Sequence, residues 1–70
     1  MMVEVFKTNV QKVREAKVLV KKLLVHLPKS KINFDLADCD KVLRVEASSI
    51  SPEKIIDVLQ ESGFRCEVLE

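Results

Sequence analysis

Few side chains in this chain have the chemistry for a reactive or metal-binding site. There are two cysteines, Cys39 and Cys66, one histidine, His26, and three aspartates close to the first cysteine, Asp35, Asp38 and Asp40. A thiolate pair suits soft ions such as Cu(I) and is also a common Zn(II) donor set, so Cys39 and Cys66 are the candidate metal ligands if the fold brings them together. Two cysteines this far apart make neither a disulfide framework nor a zinc knuckle. The aspartates offer oxygen to a hard cation, but such sites take six or more oxygens from a shaped loop, and a polar hairpin turn accounts for these three. His26 has no second histidine near it in sequence and is read as structural. No nucleophile–histidine–acid set assembles around one histidine. A chain with the single glycine Gly63 has no glycine-rich phosphate loop. The expectation is therefore a protein that is not an enzyme and holds no cofactor, with a metal ion as the exception to test.

Charge gives a second kind of candidate. The net charge is +1, yet residues 7–31 carry eight basic side chains against Glu15 alone, and residues 32–70 carry four basic and nine acidic ones. Such a split suits an acidic partner or a molecule with two electrostatic faces. On a helical wheel Arg14, Lys17, Lys21 and Lys22 share the outward face of the first helix with Val18 and Val25. Cations steer an encounter and apolar area holds it, so these six residues are the candidate docking surface for an acidic protein partner or for self-association.

These side chains must be positioned by local structure, and the pattern of apolar residues sets it out. Met2–Lys7 alternates and is rich in Val and Phe, which predicts a strand. Thr8 with Gln11 matches a capping box and Asn9 is an equally good N-cap. From Gln11 to Leu27 the apolar residues Val13, Ala16, Leu19, Val20, Leu23, Leu24 and Leu27 fall on one helical face, and Pro28 ends the helix. Lys31–Leu36 and Lys41–Ala47 are strands joined by the polar turn Ala37–Asp40. Ser51-Pro52-Glu53 opens a second helix with serine at the N-cap and proline at the first helical position. Gly63 closes it, and Phe64–Leu69 is the last strand.

The order βαββαβ with two amphipathic helices predicts one α+β domain over residues 1–70, a ferredoxin-like sandwich of sheet order 4-1-3-2 with both helices on one face. Val3, Val5, Phe34, Val45 and Cys66 are expected to point at the helices. Cys39 in the turn and Cys66 on the last strand then share one end of the domain. Two strand spacings, about 10 Å, separate their strands, more than a disulfide spans. Cys66 is in phase with Phe64 and Val68, as a core thiol would be.

At 47% hydrophobic and 33% charged residues the chain has the aliphatic content of a folded soluble domain. No apolar run approaches membrane-spanning length, and Met1–Val10 lacks the apolar core of a signal peptide. A cytoplasmic, non-membrane protein with reduced thiols is the expectation.

Taken as a whole, the pattern resembles the heavy-metal-associated domain family over nearly its full length. The resemblance rests on the strand pattern, on Leu27-Pro28 ending the first helix, on Ser51-Pro52-Glu53-Lys54-Ile55-Ile56 opening the second, and on Glu61-Ser62-Gly63-Phe64-Arg65-Cys66-Glu67-Val68 closing the domain. It implies a metal carrier that docks acidic partners through basic surface near the first helix. The family's Met-x-Cys-x-x-Cys motif is absent, since the matching segment reads Thr8-Asn9-Val10-Gln11-Lys12-Val13-Arg14-Glu15-Ala16. With Val10 at the methionine position the ligand positions hold Lys12 and Glu15; counted back from Leu27-Pro28 they hold Val13 and Ala16. Neither pair binds Cu(I).

Three functions follow in order: an interaction module using the basic helix or a sheet edge; a metal-binding or carrier protein with displaced ligands, Cys39 and Cys66; and a small-ligand regulatory domain. RNA-recognition domains share the βαββαβ order but stack bases on aromatics of the two central strands. The third strand offers Val42, Arg44 and Glu46 there, which argues against nucleic acid.

Overall fold

Alternation sets the sheet. The computed structural model describes residues 1–69; Glu70, the last residue of the expected domain, lies outside them. The elements run β1 (Met2–Thr8), α1 (Val13–His26), β2 (Lys31–Asp35), β3 (Val42–Ala47), α2 (Pro52–Glu61) and β4 (Cys66–Val68). The strands form one antiparallel sheet in the order β2-β3-β1-β4, the ferredoxin-like order read from the far edge. Both helices cover one face. Leu19 and Leu23 of α1 and Ile55 and Leu59 of α2 close on Leu43 and Val45 of β3 and Phe6 of β1, all essentially fully buried.

The phase of β1 is opposite to the one its valines suggest. Phe6 is fully buried, paired with Leu43, while Val3 is 46% exposed and Val5 sits opposite the exposed Arg44 on the open face. Both phases of Met2–Thr8 contain apolar residues. Burying the large ring of Phe6 removes more apolar area than burying a valine does. Glu4 shares that face at the strand's outer end, where it is only half-buried. Val45 and Cys66 do face the helices, as their alternation implies, and Phe34 packs half-buried against the core.

Local stops are those the residue types dictate. At the end of α1 the backbone N–H of Leu27 donates to the Leu23 carbonyl, and the Leu27 carbonyl accepts from both the N–H and the hydroxyl of Ser30, across Pro28. At the end of α2, Gly63 takes φ +89°. Its N–H donates to the Gln60 carbonyl at 3.0 Å and the Phe64 N–H to the Leu59 carbonyl at 2.9 Å, the paired bonds of a Schellman stop. Leu59 and Phe64 both belong to the core, so the stop is also packed.

The inverted phase of β1 is measurable. Phe6→Ala is expected to cost about 3–5 kcal/mol and Val3→Thr to stay within about 0.5 kcal/mol, read from urea midpoints. Equal costs would mean that Phe6 is not the inward residue.

Candidate functional site

One end of the domain gathers the candidate residues, and Thr8 organises it. Thr8 closes β1 opposite Cys66 of β4 and is the only buried polar side chain among the described residues. Its hydroxyl donates to the Lys41 carbonyl at 2.6 Å and accepts from the Val10 N–H at 3.3 Å. Its own N–H donates to the Asp40 carbonyl at 3.0 Å. Asn9 turns the other way, its side-chain oxygen accepting the Arg65 N–H at 2.8 Å. Three loops are thus fastened together at the end of β1.

Thr8 and Asn9 therefore do not cap α1, as their spacing to the helix suggested. The Thr8 oxygen accepts from Val10 in the loop while its hydroxyl donates to the distant Lys41, and the Asn9 oxygen accepts from the distant Arg65. The helix begins later, at Val13, with Lys12 at the N-cap and its N–H donating to the Glu15 carboxylate at 3.2 Å. Val10 fills the core from the loop, fully buried, whereas Val13, expected on the buried face, is 63% exposed. Lys12 and Glu15 are the residues that stand where the resembled family has its thiols when Val10 is aligned to the methionine. Here they make a helix-start contact.

The two cysteines differ in kind. Cys39 is exposed in the β2–β3 turn; Cys66 is buried against the helices, and both are free thiols. Burial pushes the Cys66 thiol up from 9.0 to about 12, with the charge of Glu67 adding to the shift. Neutral sulfur is thereby favoured in the fold, a contribution that is full below about pH 9 and lost as pH rises towards 12. Asp38, Cys39 and Asp40 do form a cluster, their ligand atoms within 4.8 Å of one another. Cys66 is not in that cluster, and neither is Asp35. The carboxylates have work in the turn itself. An Asp38 oxygen accepts the Asp40 N–H at 2.9 Å, and Asp40 meets the Lys7 ammonium at 3.8 Å. The turn is pinned again by Lys41, whose ammonium donates to the Leu36 carbonyl at 2.9 Å and whose backbone sits at φ 46°.

The basic candidates lie elsewhere. Arg14, Lys17, Val18, Lys21, Lys22 and Val25 are all exposed along α1, with Val18 at 53% and Val25 at 79%. The structure divides them. Lys17 and Lys21 rim a groove of about 640 Å³ between α1 and β2, floored by Ile32, Phe34 and Leu36. Arg14, Val18 and Lys22 border Ser62 and Phe64 just beyond the end of α2, where the Lys22 ammonium donates to the Ser62 hydroxyl at 3.0 Å. Among the described residues the one ion pair is Lys7–Asp40, so none of these cations is neutralised by a carboxylate. His26 is exposed in the last turn of α1. The groove was not legible in the sequence as a site, because Ile32, Phe34 and Leu36 read as ordinary inward residues. The signal available was that β2 would be an edge strand.

No helix is long and apolar enough to cross a membrane among the described residues. Comparison with protein-family models, with curated proteins and with solved structures finds no match. The likeness to the heavy-metal-associated topology is one of fold, with a degenerate ligand cluster in the β2–β3 turn.

The thiols should separate in a titration with a disulfide reagent at pH 8. One thiol per chain, Cys39, reacts in the folded protein and both react in denaturant, because a thiol of pKa about 12 carries thiolate only on the order of one part in ten thousand there. Prompt reaction of both thiols in the folded protein would contradict the burial of Cys66.

Proposed function

We propose that this protein is a non-enzymatic interaction module on a heavy-metal-associated-like fold, and that it docks an acidic protein partner through the exposed face of α1. The observation that supports this reading is the uncompensated charge of that face. Arg14, Lys17, Lys21 and Lys22 have no carboxylate partner among the described residues, and Val18 and Val25 stand bare between them. Solvated lysines alone are ordinary; two exposed β-branched residues set among them add the apolar area that turns steering into affinity. The loop in which the family keeps its metal has been given over to the fold, with Val10 in the core and Lys12 and Glu15 joined at the helix start. An exposed free thiol at Cys39 accords with a cytoplasmic setting. Nucleic acid gains no support, since Phe6 is buried and the open face of β1 and β3 presents Val3, Val5, Arg44 and Glu46 without an aromatic.

Affinity capture at ~50 mM and ~300 mM salt, with the partner then titrated by calorimetry, tests the docking face. Lys17→Glu with Lys21→Glu should weaken the complex by about tenfold or more, and salt should weaken the wild-type complex in the same sense. A complex indifferent to both sinks the reading.

The second reading, a metal-binding protein with displaced ligands, rests on the Asp38, Cys39 and Asp40 cluster. Titration of the reduced protein with Cu(I), then Zn(II), followed by NMR, decides it. On the docking reading no stoichiometric metal is retained. Amide shifts confined to residues 38–41 at one equivalent, abolished by Cys39→Ser, would establish the metal site instead.

A further inference from the structure

Strand β2 is an open edge of the sheet. Edges of this kind are usually blunted by proline, a bulge or a covering element, because unpaired backbone groups recruit another strand. β2 has no proline, and its register against β3 runs unbroken from Lys31 opposite Glu46 to Asp35 opposite Val42. The groove beside α1 opens along the same edge, over Ile32, Phe34 and Leu36. An unpaired backbone ladder and an uncovered apolar layer therefore end on one line.

We propose that this line is an interface between two copies of this chain, formed by antiparallel pairing of β2 with β2 about a two-fold axis at Asn33. The reason is charge and shape self-complementarity. Residues directly opposite in a ladder lie on the same face of the sheet, so a symmetric pairing must match odd residues with odd and even with even. Centred on Asn33, Lys31 of each copy meets Asp35 of the other on the open face, and Ile32 of each meets Phe34 of the other on the groove face. Centred on Ile32, Lys31 meets Asn33 instead and Phe34 meets Ser30. Centred on Phe34, Asp35 meets Asn33 and Lys31 meets Ala37. Both shifts lose the two ion pairs.

The Asn33 register also continues rows that already exist within the chain. Ile32 lies beside Val45 and Phe34 beside Leu43, both of them fully buried. Pairing would make the row Val45, Ile32, Phe34, Leu43 continuous through the axis and so join the two apolar layers. On the other face Glu46 and Lys31 would be followed by Asp35 of the second copy, charges alternating in sign. Lys17 and Lys21 of both copies rim the seam; their stems can cover apolar surface while the ammonium groups stay in water. Lys17 and Lys21 thus belong to both surfaces, whereas Arg14, Val18, Lys22 and Val25 lie away from the seam, so Arg14→Glu with Lys22→Glu probes the docking face of α1 without touching the dimer.

Sedimentation equilibrium over ~10 µM to 1 mM, with NMR on dilution, tests the pairing. The wild type should dimerise, with concentration-dependent amide shifts at Lys31–Asp35 and none at β4. Lys31→Asp and Asp35→Lys should each weaken self-association ~10- to 100-fold while circular dichroism stays native. Mixed in equal amounts they should recover it as a heterodimer, since each then faces the opposite charge. A wild type monomeric at 1 mM, dimers untouched by either reversal, or a mixture that stays monomeric overturns the proposal. So does a monomer whose β2 amides shift on addition of a short peptide of alternating glutamate and valine, which would give the edge to a different chain.

Discussion

The buried hydroxyl of Thr8 is the contact on which the arrangement of this end of the domain depends. It sits where β1 stops, donating to the carbonyl of Lys41 and accepting from the N–H of Val10. A buried hydroxyl left without partners costs about 1–3 kcal/mol, a large share of what a chain of this length has to spare. Satisfying it fixes three things together. The β2–β3 turn is drawn against β1, with Lys41 held in a left-handed backbone that an L-residue adopts only at a cost of about 1–2 kcal/mol. Val10 is drawn into the core from the loop. With the loop so occupied, α1 starts at Val13, and its basic face takes its azimuth from there.

Charge in this protein is consequently separated from the carboxylates that would neutralise it. Asp38 and Asp40 serve the turn, Glu15 serves the helix start, and the cations of α1 face solvent with no carboxylate partner among the described residues. The resembled metal carriers place their ligands in the loop that Val10, Lys12 and Glu15 now fill with packing and a capping bond. The residues that keep the helix start intact contribute nothing a soft metal would recognise.

Much of this was legible in the sequence. Strand–helix order, the sheet order, Ser51-Pro52 at the start of α2, the stop at Gly63 and the inward thiol of Cys66 all follow from period, caps and turn residues, which are local signals. The misreadings concern residues whose partners are far along the chain. Thr8 and Asn9 have the chemistry of caps, but their partners prove to be Lys41 and Arg65. The phase of β1 is ambiguous because Val3 and Val5 alternate with Met2 and Phe6; only the facing Leu43 decides it. Val13 fits the apolar stripe by angle, yet at the first helical residue it overhangs the β2 side, where no element covers it. The groove is the product of that missing neighbour, and spacing within one helix does not reveal it.

Gly63 has a meaning beyond ending α2. A Cβ built on it would meet nothing within 4 Å, so the site has room for a side chain. What disfavours an L-residue there is the sign of its backbone angle, +89°, rather than volume. The helix stop is in that sense a filter for handedness. A mirror-image alanine, introduced by chemical synthesis, would take that angle as its natural one, retain the Schellman bonds, and restrict the unfolded chain where glycine leaves it free.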